Sequence, residues 1–505
     1  MPVSTLHESM RNLNAQWDVI RDTILGEFQV KYRRDRYLPR PNAGDMSNEN
    51  RARYDAYLTR AVFYNVVKRT LGGLVGQVFS REPVIVLPDG MAKLTEDATG
   101  LGVSLTQLAK YCSGFTIGFG RTGILTDFPT TSGQISAAEK ELYRANLTVY
   151  DPKDIINWRW DNVKGRKVKS LVVIQEKYVK SDDGFLITYG KQYRVLRLID
   201  GVYTQLLYRD TDGDRPVETL TPTDAKGNAF EEIPFEFVGA ENNDPDPDQP
   251  PLYDLATMNI AHYRNSADYE EACYVMGQPT VWFSGLTEQW VKSVLKGKIQ
   301  LGSWAAIPLP AGAAAGLVQI APNTLPMEAM KHKEGQMVAL GAKLVDPTAV
   351  QRTATEASID QSYETSTLSS SADNVSDAFT RSLRHVARFE GEKFEEGAEG
   401  EDGTKKQLIE FELNTQFDLI KLSSNERTAL IQEWQGEAIS WSELRANLRR
   451  GGIATLADEL ARKEIDDMRA TLPPLDGEDD ADPANANEND PAKANERPGP
   501  ANART

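Results

Sequence analysis

The chain has 505 residues, with 57 basic and 74 acidic side chains, 40% hydrophobic residues and two cysteines. That length predicts two to four compact units, and the composition excludes a wholly disordered chain. Cys112 and Cys273 stand far apart, which excludes a disulfide scaffold or a cysteine zinc site, and a net charge of −17 excludes a protein that coats DNA by bulk attraction.

The first twelve residues carry His7, Glu8 and Arg11 without an apolar core, so no secretory signal is expected there. The segment Lys31–Arg40 is basic and bears aromatics; it reads either as a polyanion contact or as a solvated helix face or subunit contact. Residues 47–80 read as helix, with Tyr54, Leu58, Ala61, Val62 and Val66 at spacings of three and four. A short helix is expected at 105–112. Gly118, Gly120 and Gly123 then match GxGxxG, but Ile124–Phe128 is strand-like and ends at Pro129, so the glycines are read as a bend between two strands rather than a dinucleotide loop.

From about 147 to 238 the pattern becomes an antiparallel meander, with Asp183-Gly184, Asp200-Gly201 and Asp212-Gly213 as hairpin dipeptides. Asp210–Asp214 begins like a calcium loop, but Arg215 and Thr221 occupy the positions that need Gly and Glu. Residues 241–251, rich in proline and acid, read as a semi-rigid extended connector. Residues 252–276 read as one continuous helix with Leu255, Met258, His262, Tyr269, Cys273 and Met276 on a stripe.

Residues 299–327 carry no charge, yet their prolines and glycines are incompatible with a membrane span. A second helical run reaches from Pro326 to about Leu344, and Asp346-Pro347 interrupts it. A very long helix is expected at 354–390, with Ile359, Tyr363, Ala372, Val375, Phe379, Leu383 and Val386 at a mostly three-and-four spacing. Half of the residues from Thr353 to Ser370 are Ser or Thr, which suits a helix crowded by close neighbours. Two further helices open with Ser423-x-x-Glu426 and Ser440-x-x-Glu443, and Thr471–Thr505 reads as a disordered acidic tail. The four histidines lie on separate elements, and no nucleophile or phosphate-loop motif occurs, so no enzyme, cofactor or metal is expected.

Ordered segments of this sequence are similar to those of portal proteins, the head-tail connectors of tailed double-stranded DNA bacteriophages. They include Tyr37–Arg40, Tyr57–Asn65, Leu74–Phe79, Gly120–Pro129, Ile155–Trp158, Ile233–Phe235, the run Pro251–Asp268, and Leu444–Gly452. The resemblance spans most of residues 20–465. It implies an α+β portal fold assembled as a ring, usually of twelve subunits, at one capsid vertex. On this chain the family's parts would be a wing at 1–250 of helices plus meander, a first stem helix at 251–278, and a clip at 279–325. They continue with a second stem helix at 326–344, a tunnel loop at 345–353, the wing's long spine helix at 354–390, a crown at 391–470 and the tail at 471–505.

The resemblance implies that Asp346, Pro347, Thr348, Ala349, Val350, Gln351 and Arg352 form the loop facing DNA. Lys331, Lys333 and Lys343 either meet phosphate in the channel or pair with acids such as Glu328 and Glu334. Trp282, Phe283, Trp304 and Ile307 are the candidates for contacts between clips of neighbouring subunits. The implied partners are double-stranded DNA, the terminase large subunit, a head-tail adaptor, and major capsid and scaffolding proteins, with no membrane. The implied location is the portal vertex of a virion assembled in the bacterial cytoplasm. Another structural virion protein without a DNA channel, such as a minor head or adaptor protein, is the alternative. An α+β enzyme built on the glycine bend is a third reading.

The charge is uneven along the chain. Residues 241–254 contribute −5, 388–418 contribute −6 and 471–505 contribute −5, whereas residues 1–80 are net +4. The acidity is therefore local, which leaves room for a protein that lets DNA pass.

Overall fold

A computed structural model describes residues 2–128, 144–163, 165–210, 215–224, 226–278, 280–294, 309–318, 324–341, 354–392, 409–415, 424–436 and 438–450, with a few isolated positions beyond. It has an α+β architecture in two compact units, Met1–Asp418 and Leu419–Thr505.

The first unit begins with helices α1 (Glu8–Leu25), α2 (Glu27–Tyr32), α3 (Asn48–Arg60) and α4 (Val66–Val78). The expected single helix over 47–80 is thus two, parted at Ala61–Asn65. Strand β1 (Val84–Val86) precedes α5 (Leu105–Phe119), which runs seven residues past its expected end. Ser104 and Gln107 close a reciprocal capping box at its start, and Trp17 of α1 donates its indole N–H to the Phe119 carbonyl at 2.9 Å.

Two antiparallel sheets follow. Strands β2 (Arg121–Asp127), β3 (Asn146–Tyr150) and β9 (Phe235–Gly239) pair in the order β3-β2-β9. The meander expected over 147–238 is shorter, β4 (Ile155–Val163), β5 (Arg166–Asp182), β6 (Ile187–Ile199), β7 (Val202–Arg209) and β8 (Glu218–Leu220) in sequential order, since β3 and β9 at its expected ends pair with β2 instead. Its tightest turn is Asp200-Gly201, where both residues take positive φ (51° and 81°), as a two-residue hairpin of this hand requires.

Helix α6 (Tyr253–Met276) leads to β10 (Thr280–Ser284), the short α7 (Glu288–Ser293), β11 (Ala314–Val318) and α8 (Leu325–Ala339). The 37-residue helix α9 (Ala354–Glu390) then crosses β9 and β2 and packs on α5. Of its predicted stripe, Ala372, Val375, Phe379, Leu383 and Val386 are buried, while the side chains of Ile359 and Tyr363 lie outside the described residues. Its described serines meet this subunit's own core: Ser371 donates to the Ala240 carbonyl at 3.2 Å, and the Ser376 hydroxyl accepts from the Leu413 amide at 3.0 Å.

Strand β12 (Glu410–Glu412) pairs antiparallel with β1, and Ile409, Phe411 and Leu413 are buried in the main core. The stretch 391–470 expected as one crown is therefore divided, because these apolar residues belong to the first unit. The second unit contains α10 (Ser424–Gln435) and α11 (Trp441–Arg450), the latter opened by the predicted box between Ser440 and Glu443. Ser423, Gly451-Gly452 and the tail 471–505 lie outside the described residues.

Candidate DNA-channel element

Helices α6 and α8 form a hairpin, and its direction follows from the side chains that join them. The His262 ring on α6 meets the Glu334 carboxylate on α8 at 3.3 Å. One turn on, the Asn265 amide, oriented to satisfy both its ends, donates to the Ala261 carbonyl at 3.2 Å and accepts from the Lys333 ammonium at 3.3 Å. Positions rise on one helix as they fall on the other, so the pair is antiparallel.

Only the first part of α6 has a core beneath it. The buried residues are Leu255, Ala256, Asn259, Ile260, His262, Tyr263, Ser266 and Ala267. The expected stripe is corrected here: Tyr269 and Met276 are only partly covered and Cys273 is exposed. Polar residues take the inner face because they serve the backbone where α3 and α4 part. The Asn259 amide donates to the Tyr64 carbonyl at 2.8 Å and accepts from the Val66 N–H at 3.3 Å. Seven residues along, the Ser266 hydroxyl donates to the Val62 carbonyl at 2.7 Å and accepts the Val62 N–H at 3.2 Å. An exposed extended segment between two helices would leave such groups to water, whereas here a helix some 200 residues away satisfies them. Tyr57 donates to Asp268 at 2.6 Å, and Arg60 pairs with Glu271 and lies over the Tyr274 ring. The sequence signal was present as polar residues at i and i+7, but a stripe sought among apolar side chains passes over it.

Beyond Ala267 no residue of α6 is buried among the described residues, and Arg60 on Glu271 and Tyr274 is the last described contact from the N-terminal helices. Met337 is the one buried residue of α8. At the tip, β10 and β11 pair antiparallel from Thr280↔Val318 to Ser284↔Ala314. Trp282 lies across Gly316, where an added Cβ would come within 2.8 Å of the indole, so the glycine is what lets the ring lie flat. Trp282, Leu317 and Val318 are exposed, and Phe283 is partly covered. Among the described residues this sheet has two strands, and a two-stranded sheet is marginal alone.

Of the residues expected to face DNA, Lys343 and Asp346 through Arg352 lie outside the described residues, as do Trp304 and Ile307 of the expected clip. Lys331 is exposed on α8, and Lys333 is engaged by Asn265. The two acids weighed as partners are taken otherwise: Glu334 by His262, and Glu328 by the Thr324 hydroxyl at 2.9 Å.

The charges of the basic segment are all paired within the fold. Lys31 pairs with Glu27 at 2.8 Å, Arg33 with the buried Asp22 at 2.8 Å, and Arg34 with Asp55 at 2.5 Å. Arg36 pairs with Asp18 and Arg40 with Asp35. Asp22 also accepts from Gln29 at 2.8 Å and from the Tyr37 hydroxyl at 2.6 Å, so one enclosed carboxylate organises the segment.

The glycine motif has a structural role different from the expected bend between strands. Gly118 is inside α5, Gly120 caps that helix with φ +72°, and Gly123 lies in β2 beneath Phe235. Next to it, Arg121 is buried between the Trp158 and Phe237 rings, at 4.0 and 4.6 Å, and donates to the Pro245 carbonyl at 2.5 Å. Burial presses its pKa down to about 9, opposed by the carboxylates of Asp246, Asp244 and Asp248. The acidic connector is therefore folded onto a buried cation and is not a free spacer. Among the described residues no three metal-ligating side chains converge, and no helix is long and apolar enough to cross a membrane.

Residues 251–390 match the family described as "Domain of unknown function (DUF4055)", a span that opens one residue before the N-cap of α6 and closes on the last residue of α9. No curated protein matches the chain. Among solved structures, a chain of "Virion of native gene transfer agent (GTA) particle" is similar at 13% identity and a TM-score of 0.40, over 78% of this chain and 92% of that one. A chain of "Neck of native GTA particle computed with C12 symmetry" gives 14% and 0.37, over 76% and 89%. A chain of "Neck of empty GTA particle computed with C6 symmetry" gives 14% and 0.39, over 78% and 91%. At these scores the likeness assigns neither fold nor role.

Proposed function

We propose that this chain is a portal-type subunit, a structural and non-catalytic protein. Copies form a ring, twelve in the family's usual symmetry, around a channel through which double-stranded DNA enters and leaves a virus-like capsid. The observation that carries the reading is the run from α6 to α9: an antiparallel helix pair, a small sheet at its tip, and a 37-residue helix returning through the core. Among the described residues α6 buries nothing beyond Ala267 and α8 only Met337, and helices of that length are stabilised mainly by packing an apolar face. Neighbouring copies around a ring supply such packing for the helices and added strands for the sheet.

In this reading the hairpin is the stem and β10–β11 the core of the clip. Residues 345–353 are the loop toward DNA, α9 is the spine of the wing, and the second unit belongs to the crown. The clip end would receive the terminase during packaging and a head-tail adaptor afterwards, and the wing would meet capsid and scaffolding proteins. A channel that DNA slides through must hold it weakly, which agrees with a basic segment already neutralised by its own acids.

The test is deletion of residues 346–351 in particles assembled with the chain. Rings are expected to form normally while DNA packaging or retention falls. Normal packaging and retention by that variant overturns the loop assignment.

A further inference from the structure

Helix α9 carries Arg381, Arg384, His385 and Arg388 at i, i+3, i+4 and i+7, which puts all four on one face. That face closes against β9, β4 and β5 around a cavity of about 340 Å³, whose wall also includes Lys169, Trp160, Glu232 and Glu236. Glu236 is enclosed and engaged, with Lys169 at 3.0 Å, His385 at 3.2 Å and Arg381 at 4.0 Å. Glu232 pairs with Arg388. Four cations against two carboxylates leave an excess of two positive charges with His385 neutral.

Two donors remain open. Among the described residues Arg384 has no ion-pair or hydrogen-bond partner, and the buried Trp160 Nε1 has no acceptor. Arg381 and Arg388 are 54% and 38% exposed, so water screens part of this excess, and the enclosed unmet indole N–H is the feature an anion would satisfy.

We propose that this cavity binds a phosphate group, with Arg384 and the Trp160 N–H as its principal donors and Arg381 and Arg388 at its rim. A twofold charge excess matches a dianion, and tetrahedral oxygens can accept from guanidinium forks and an indole N–H approaching from different sides. A lone carboxylate is planar and singly charged, and leaves half of that excess unmatched. The phosphate comes either from a free phosphate or mononucleotide, or from a nucleic-acid backbone; the recognising chemistry is the same. The site lies within one subunit, so it does not depend on ring formation, and either proposal can fail alone.

The experiment is calorimetric titration and thermal unfolding of the full-length protein with inorganic phosphate, dAMP and a short DNA duplex, against chloride at equal ionic strength. Phosphate is expected to bind and stabilise, and Arg384→Ala to weaken binding by roughly tenfold or more, with Arg384→Lys retaining part. Arg51→Ala, on the exposed face of α3, is expected to leave binding unchanged. Should Arg384→Ala fold poorly, Trp160→Phe removes the N–H together with part of the ring while keeping an aromatic side chain, and must still weaken binding. Saturation by phosphate or dAMP without duplex binding identifies the free-phosphate source. Duplex binding whose salt dependence becomes shallower in Arg384→Ala identifies the backbone. No binding of any probe beyond chloride, or equal binding by wild type, Arg384→Ala and Trp160→Phe, overturns the proposal.

Discussion

Asn259→Leu isolates the contact that joins the hairpin to the N-terminal helices. The side chain is fully buried, and its amide serves both the Tyr64 carbonyl and the Val66 N–H. Leucine keeps the branching and the heavy-atom count, so no cavity opens, although its methyls are bulkier than the amide; both backbone groups lose the side-chain partner and keep only the Val66 N–H to Tyr64 carbonyl bond at 3.0 Å. Each lost hydrogen bond costs about 0.5–1.5 kcal/mol, and crowding by the bulkier methyls adds to this. Because Tyr64 lies near the surface, its carbonyl can recover a water, and the net loss expected is about 2 kcal/mol. Urea unfolding of the full chain gives the global change. Amide hydrogen exchange at Val66 gives the local one, expected to accelerate roughly thirtyfold for a 2 kcal/mol loss. A variant within about 0.5 kcal/mol of wild type, with Val66 exchange unchanged, refutes the view that α6 satisfies the parted helices.

Three further outcomes follow from particular contacts. Gly120→Ala places a Cβ at φ +72° and 2.9 Å from the carbonyls of Asp248 and Gln249, and is expected to cost about 2–4 kcal/mol in thermal unfolding. A loss below 0.5 kcal/mol contradicts the close approach. Against the opposing effect of burial, Lys169 and His385 hold Glu236 at about 2, below the ordinary 4.5. A depressed carboxyl contributes stability above pH 4.5 that is lost as pH falls toward 2, an effect of about 3 kcal/mol. Glu236→Gln should therefore be less stable at neutral pH and lose less on acidification across that window; parallel pH profiles refute the pairing. Leu317→Lys puts a charge on the exposed sheet at the hairpin tip, and is expected to weaken assembly roughly tenfold or more without changing monomer stability. Unaltered assembly removes that sheet from the interface.

The sequence makes α9 legible because its spacing of three and four is sustained over many turns and its inner face is apolar. The meander is legible for a similar reason, since Asp200-Gly201 and Asp183-Gly184 encode their turns locally. What the sequence hides is whatever a distant residue decides. The break at Ala61–Asn65 interrupts a good helical pattern only because Asn259 and Ser266 accept and donate there. Helix α5 continues past Cys112 through Gly114 because Ala109, Cys112, Thr116, Ile117 and Phe119 are packed in a core, which outweighs glycine's intrinsic cost. The connector at 241–251 looks like a solvated spacer until Arg121 is found beneath it. The basic segment leaves a polyanion contact and a solvated face or subunit contact open until each charge is traced to its own acid. Three residues of β12 are too few to announce a strand before β1 is seen beside them.

The central claim is that this chain closes into a ring with an axial channel, and the mass and shape of the purified full-length protein test it most directly. Native mass spectrometry with electron microscopy should find a closed ring with an axial hole, of about 670 kDa if twelve subunits of 56.1 kDa assemble. A stable 56.1 kDa monomer at high concentration under virion-like ionic conditions, with no ring in any image, contradicts it.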